Sequence, residues 1–428
     1  MNGERTVKTN NTEVCFATNE ALHSFCIAAY IRAGSMYETA GNNGISHLYE
    51  HAVFRNLKRH YDGKLYELLS RHGLTVDADT YKEFMSFSVH GVTDGIDFGI
   101  DIISKLFLPL EIEQDEYDAE KQRIYCEINE DDEKGTLGWL HGRRCWDGAF
   151  PAGGISGRRS NIERITVKKL DEFRSKIISA GNIFFYVTGN VEAEHEQKLI
   201  DTISRIPINP SEIGRDNYVP VKPGFAFGKQ NIVIKDSDWY HLMLSFGFDS
   251  HEFPMNVREM LYSILYDNDD SMFYQELSEN DPTVYSYNGI LEQYDNYGRF
   301  NLSYETTEDR IEKSLEAVLR AINMLKRGEF DIELNKRKLA VQHTLTLDDP
   351  CGLNWDLAYY NHILESGPVD WSKPALGRYE KLTVDIIKNA ARRIFIRQGL
   401  VFTMRGDRRR INKAEIETIL SKLDQAEY

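Results

Sequence analysis

No apolar run in this chain approaches the roughly 20 residues that a membrane-spanning helix needs. The opening stretch MNGERTVKTNNTEV lacks the apolar core of a secretory signal, and it is too polar and too mixed in charge for an organelle transit peptide. The expectation is a soluble cytoplasmic protein of bacterial type. Cysteine is scarce. The five present (Cys15, Cys26, Cys126, Cys145 and Cys351) are scattered and form no C-x-x-C pair, the usage of a reducing compartment, which argues against a thiolate zinc site. Basic charge is also short: 51 Lys plus Arg face 67 Asp plus Glu, a net charge of −16. Nucleic acid is thereby excluded as an expected partner, since phosphate binding needs a basic surface. No glycine-rich loop follows a strand, so a dinucleotide-binding fold has no support.

What is present is length and pattern. A chain of 428 residues exceeds one ordinary core. The same order of elements is read twice. Strand-like FCIAAYIRAGS (25–35), a helix through HLYEHAVFRNL, strand-like YKEFMSFSVHG (81–91) and the helix TDGIDFGIDIISKLFLPL make the first series. YHLMLSFGFDS (240–250), NVREMLYSILYD, YGRFNLSYET (297–306) and EDRIEKSLEAVLRAINMLKRG make the second. Two diverged halves are expected, spanning 1–210 and 231–428, with a Pro- and Gly-rich linker at 211–230. Hairpin-like pairs in NIFFYVTGN and NIVIKDSDWYHLMLSFGF favour an α+β fold with mainly antiparallel sheets covered by helices.

The stretch HLYEH (47–51) carries the chemistry. On a helix, His47, Glu50 and His51 share one face, so two imidazoles can reach one zinc ion at roughly 2.0–2.1 Å with a carboxylate beside it. Ser46 or Asn43 is the expected cap of that helix. The competing interpretation is a polar helix whose histidines happen to be four apart. A hydrolytic zinc site wants a third protein ligand and one open position. The helical pattern EQDEYDAEKQRIYCEINEDDEKG (113–135) offers Glu120 and Glu127 on one face, beside an apolar stripe of Tyr117, Ile124, Tyr125 and Ile128. A carboxylate pressed toward a core needs a partner, and zinc for one and a hydrogen bond to a ligand for the other would satisfy both.

These residues resemble the pitrilysin/insulinase peptidases, a family that includes the mitochondrial processing peptidase and carries the inverted motif H-x-x-E-H. The resemblance extends to AGSMYE (33–38) before the motif helix, to Phe54 after it, to VDADTYKEFMSFSV as an edge strand, and to ITVKKLDEFRSKIISAGNIFFYVTGNV as a closing segment. It implies that His47, His51 and Glu127 bind Zn2+, that Glu50 activates water, and that Glu120 supports the site from behind. It further implies a clamshell of two chains, in which a peptide substrate adds to the strand containing Asp77, Ala78 and Thr80. Asp77 stands where the family usually has Asn.

One departure concerns the second half. The family pattern is Leu-Arg followed, seven residues after the Arg, by Tyr, and both side chains reach the substrate. Here Leu277 is followed by Ser278, with Tyr285 in the Tyr position. Serine has neither the charge nor the reach of arginine. A split zinc endopeptidase is therefore expected, with a paralogous subunit supplying Arg and Tyr and a homodimer as second choice. Maturation or leader removal of a peptide precursor would suit such an enzyme. The alternative is a non-catalytic assembly subunit that retains the motif as a relic.

Overall fold

The computed structural model describes residues 4–131, 137–146, 154–211, 230–234, 239–280, 282–296, 298–364 and 375–424. Most of the 211–230 stretch expected as a linker lies outside these residues. Two compact units emerge. The first comprises Met1–Asp131, Phe150–Val221 and Leu345–Ser372, and the second Asp132–Ala149, Lys222–Thr344 and Lys373–Tyr428. Each unit thus takes one short segment from the sequence range of the other half.

The first unit is built on β1 (Arg5–Thr9), β2 (Thr12–Thr18), β3 (Ser24–Ile31), β4 (Leu74–Thr80), β5 (Met85–Val92) and β6 (Ile183–Gly189). Their spatial order is β1-β2-β6-β3-β5-β4, with β2 and β6 parallel and every other neighbour antiparallel. The second unit uses β7 (Gln230–Ile234), β8 (Trp239–Phe248), β9 (Tyr287–Gln293), β10 (Gly298–Thr307) and β11 (Leu400–Gly406), in the order β7-β11-β8-β10-β9. Here too one pair, β7 with β11, is parallel and the rest antiparallel. With β1 set aside, the two sheets share one topology, which is the structural form of the repeat seen in the sequence.

The expected hairpins do not form. β7 pairs with β11 rather than with β8, which follows it in sequence, and β6 lies between β2 and β3. Strands separated by a few residues need not be neighbours when a parallel partner is available from elsewhere in the chain. YKEFMSFSVHG is also divided: Tyr81 N donates to Phe84 O (2.9 Å), making the turn, and β5 starts at Met85.

Alternation along the strands sends Phe25, Ile27, Ala29 and Ile31 into the first core, against the helices Ile45–Arg59 and Ile96–Leu106. The opposite faces are covered by the exchanged segments. In the first unit, Asn354 of the Pro350–Ala358 helix donates to the carbonyls of Cys26 (3.3 Å) and Tyr186 (2.9 Å) and accepts from Tyr30 OH (2.9 Å). In the second, His141 of the Leu137–Cys145 helix lies between Ser245 of β8 (2.6 Å) and Thr403 of β11 (2.7 Å). A polar residue in each covering helix thus hydrogen-bonds buried polar groups of the sheet beneath it. No helix among the described residues is long and apolar enough to cross a membrane.

Candidate metal centre

The helix Ile45–Arg59 begins at Gly44, whose left-handed φ of 94° and close surroundings leave no room for a Cβ. Its cap is neither Ser46 nor Asn43. The carboxylate of Glu38 accepts from the backbone N–H of Gly44 (2.8 Å) and of Ser46 (2.9 Å), and from Asn43 Nδ2 (3.0 Å). A buried carboxylate on the free N–H groups of a helix start does the capping work from outside the helix. Glu38 closes the AGSMYE stretch, so that segment serves to place the motif helix.

Leu48, Tyr49, Ala52 and Val53 are buried in the core, fixing the rotation of the helix. At about 1.5–3 kcal/mol for each large side chain buried, this anchoring outweighs the cost of holding three polar groups half-buried on the other face. His47, Glu50 and His51 then meet the helix Gln114–Asp131, whose Tyr117, Ile124, Tyr125 and Ile128 are buried as expected.

Glu127 reaches both imidazoles: its carboxylate lies 3.5 Å from His47 Nε2 and 3.4 Å from His51 Nε2. These separations exceed the 2.7–3.2 Å of a good N–H···O hydrogen bond. They match the edge of a tetrahedron of ligands about 2 Å from a common ion, which is about 3.3 Å. Among the described residues, His47, His51 and Glu127 are the one group of three that brings metal-ligating atoms within 4.8 Å of one another. Burial, and next the charge of His51, pushes His47 down to about 4, so its imidazole is neutral, the form that donates a lone pair. The donor set fits a zinc ion with an open fourth position.

Glu120 is buried and supports His51. Its carboxylate is 3.3 Å from His51 Nδ1 and bonds Arg55 Nε through the other oxygen, with Arg123 3.5 Å away. Burial alone would raise the Glu120 carboxyl, but the bonds from His51 and Arg55 outweigh it and hold the carboxyl below its usual range. His51 moves the opposite way: burial disfavours its cation, yet Glu120, Glu127 and Glu50 together raise it. Arg55 had no signal in the motif spacing. Only its place one turn beyond His51, on the face turned toward the second helix, pointed to it.

Glu50 stands beside the cluster without being part of it. Thr80 Oγ1, at the end of β4, donates to Glu50 Oε2 at 2.6 Å. Burial pushes the Glu50 carboxyl up to about 7, a value suited to exchanging a proton at neutral pH. Thr80 therefore meets the carboxylate of the site. Ala78 packs partly against the core, while Asp77 faces outward, 3.8 Å from His90. β4 is the edge of its sheet, with one row of backbone groups unpaired by any strand among the described residues. Tyr285 belongs to the second unit and is fully exposed, and Ser278 donates its hydroxyl to Val284 O (3.2 Å).

Two family models match the chain. The model described as insulinase (peptidase family M16) covers residues 14–140, and that described as peptidase M16 inactive domain covers 164–339. The chain belongs to the M16 (insulinase) peptidase family. This M16 chain is 21% identical to the uncharacterized zinc protease YmxG of Bacillus subtilis, over 79% of its own length and 82% of that protein. It is 22% identical to cytochrome b-c1 complex subunit 1 of Mus musculus (48% of this chain, 42% of that one) and 24% identical to the mitochondrial-processing peptidase subunit beta of Blastocladiella emersonii (55% and 50%). Among solved structures, a protease from Helicobacter pylori superposes with a TM-score of 0.77 at 16% identity, covering 94% of this chain and 99% of that one. At that identity the likeness speaks to the α+β fold of two sheets.

Proposed function

We propose that this M16 chain is the catalytic chain of a zinc-dependent endopeptidase. The observation that carries the reading is the convergence of His47, His51 and Glu127 within 4.8 Å, with Glu50 held beside them by Thr80. His47 Nε2, His51 Nε2 and a Glu127 oxygen would hold the ion. When bound, zinc would polarise the scissile carbonyl and acidify an adjacent water. Glu50 accepts the proton of the attacking water and passes it to the leaving amine. Thr80 occupies Oε2 of Glu50, which leaves Oε1 to exchange that proton. Glu120 fixes the His51 ring through Nδ1 and turns its Nε2 toward Glu127. An extended peptide adds to the free edge of β4.

Ser278 supplies no cation, and its hydroxyl is engaged with Val284 O. The proposal therefore includes a paralogous partner chain that brings an Arg and a Tyr to the substrate, with a homodimer as second choice. A relative named as subunit beta of a processing peptidase supports a two-chain arrangement, and precursor or leader-peptide processing is the substrate class proposed. The second reading, a non-catalytic assembly subunit, draws on the likeness to a cytochrome b-c1 complex subunit.

A peptide library incubated with this chain, with its Glu50→Gln form and with this chain plus a paralogue tests both. Zinc bound in unit ratio, with cleavage only in the presence of the paralogue and none in Glu50→Gln, supports the catalytic reading. Full activity of the chain alone removes the partner. Protein that neither binds zinc nor cleaves under any condition supports the assembly reading.

A further inference from the structure

Strand β4 presents two different rows of side chains. Leu74, Val76 and Thr80 turn inward and are buried, and Thr80 bonds Glu50. Thr75, Asp77 and Asp79 alternate with them and are exposed on the outer face. The row continues past the end of the strand into Tyr81. Its ring lies 5.0 Å from that of Trp355, in the helix Pro350–Ala358 that covers the outer face, so Tyr81 turns the same way as the two aspartates. Both rings are half-buried.

In the register with β5, Asp77 stands opposite Ser88 and Asp79 opposite Ser86. Among the described residues neither carboxylate is paired with a lysine or arginine, and His90 Nδ1, opposite Thr75, lies 3.8 Å from Asp77. Burial, and next the charge of Asp77, holds the Asp79 carboxyl above its usual range. The other flank of β4 is the free edge of the sheet.

We propose that the peptide taken up on that edge is one with lysine or arginine at two alternate positions, and that Asp77 and Asp79 select it.

The inference rests on the reading of β4 as the substrate strand and names the substrate class of that same site. A peptide paired with β4 repeats the two-residue alternation of the sheet, so every second side chain falls on the outer face, about 4.5–5.5 Å (Cβ to Cβ) from its neighbour on β4. The side chains between them turn inward, toward Glu50 and the group of His47, His51 and Glu127. On the outer face, β5 offers Asp77 and Asp79 only hydroxyls across the strand pair, so the peptide is the neighbour left to supply cations. Tyr81 and Trp355 add a second feature of the same sense. Aromatic rings at the end of the row pack against the aliphatic stem of a lysine or the guanidinium of an arginine. Carboxylates ending in an aromatic pair suit a cation better than an anion. The net charge of −16 draws the same peptides from a distance.

Fluorescence anisotropy with the full chain in about 0.15 M salt, read before any cleavage develops, tests this. Three labelled peptides are compared: one carrying Lys-x-Lys, one with the same residues reordered to Lys-Lys, and one carrying Gln-x-Gln. The Lys-x-Lys peptide is expected to bind about fivefold more tightly than Lys-Lys, which has equal charge but puts only one lysine on the outer face. Against Gln-x-Gln the expected difference is about twentyfold. Asp77→Asn combined with Asp79→Asn should erase the distinction between Lys-x-Lys and Lys-Lys while zinc content and thermal midpoint stay the same. Equal binding of those two peptides by the native chain, a preference that survives the double substitution, or no binding of any of the three overturns the proposal. The comparison on the native chain decides even where the substituted chain misfolds. The two readings also fail separately: cleavage without preference for Lys-x-Lys removes the selection and keeps the peptidase, and preferential binding without cleavage does the reverse.

Discussion

Thr80 Oγ1 donates a 2.6 Å hydrogen bond to Glu50 Oε2, joining the last residue of the edge strand β4 to the carboxylate of the zinc-motif helix. The proposed proton-transfer group and the proposed substrate strand are therefore one hydrogen bond apart. A shift of β4 on addition of the proposed peptide would be transmitted to Glu50 through that bond.

Thr80→Val keeps the shape of the side chain and removes the donor. A hydrogen bond to a charged group is worth about 1.5–3 kcal/mol, so kcat is expected to fall about ten- to hundredfold. Zinc content should stay unchanged, and Thr80→Ser should recover most of the rate. Equal kcat for the Val and wild-type forms would remove Thr80 from the machinery.

Arg55 and Glu120 form the support behind His51. Arg55→Met leaves a buried carboxylate without its main cation, and its grip on His51 Nδ1 changes with it. Zinc affinity, measured by competition with a chromogenic chelator, is expected to drop about 10- to 100-fold. A surface arginine changed in the same way, such as Arg71→Met, should leave the affinity where it was.

Glu38 satisfies two backbone N–H groups and the Asn43 amide at the start of the motif helix. Glu38→Ala strands these buried donors at about 1–3 kcal/mol each. The thermal midpoint of the zinc-free protein should fall by several degrees. The loss should exceed that of Glu67→Ala, an exposed carboxylate with a surface ion pair.

Acid should destabilise the second unit through two histidines. Burial, and then the charge of Arg299, pushes His141 down to about 3, and burial and then Arg378 do the same for His343. Both stay neutral when folded but take up a proton when unfolded, below about pH 6.5. Their stabilisation is thus complete above that pH and is lost as pH falls from about 6.5 toward about 3. Each contributes a slope of about 1.4 kcal/mol per pH unit in that window. Urea melts from pH 7 to pH 4 should show this slope, and His141→Gln should flatten it.

Local pattern alone marked out much of the protein. HLYEH, read at helical spacing, fixed which three groups share a face, and the stripe Tyr117, Ile124, Tyr125 and Ile128 fixed which way Glu120 and Glu127 turn. Both rest on the 3.6-residue period of one helix, which a sequence carries in full. The doubled order of strands and helices announced two related sheets for the same reason. Other features required the chain to be folded back on itself. The pairing of β7 with β11, the capping of the motif helix by Glu38, the arginine behind Glu120 and the threonine on Glu50 join residues with no shared period. The exchange of 132–149 and 345–372 between the units is of this kind. Spacing along one element is set by backbone geometry. Contact between elements is set by which surfaces bury one another, and only the assembled core decides that.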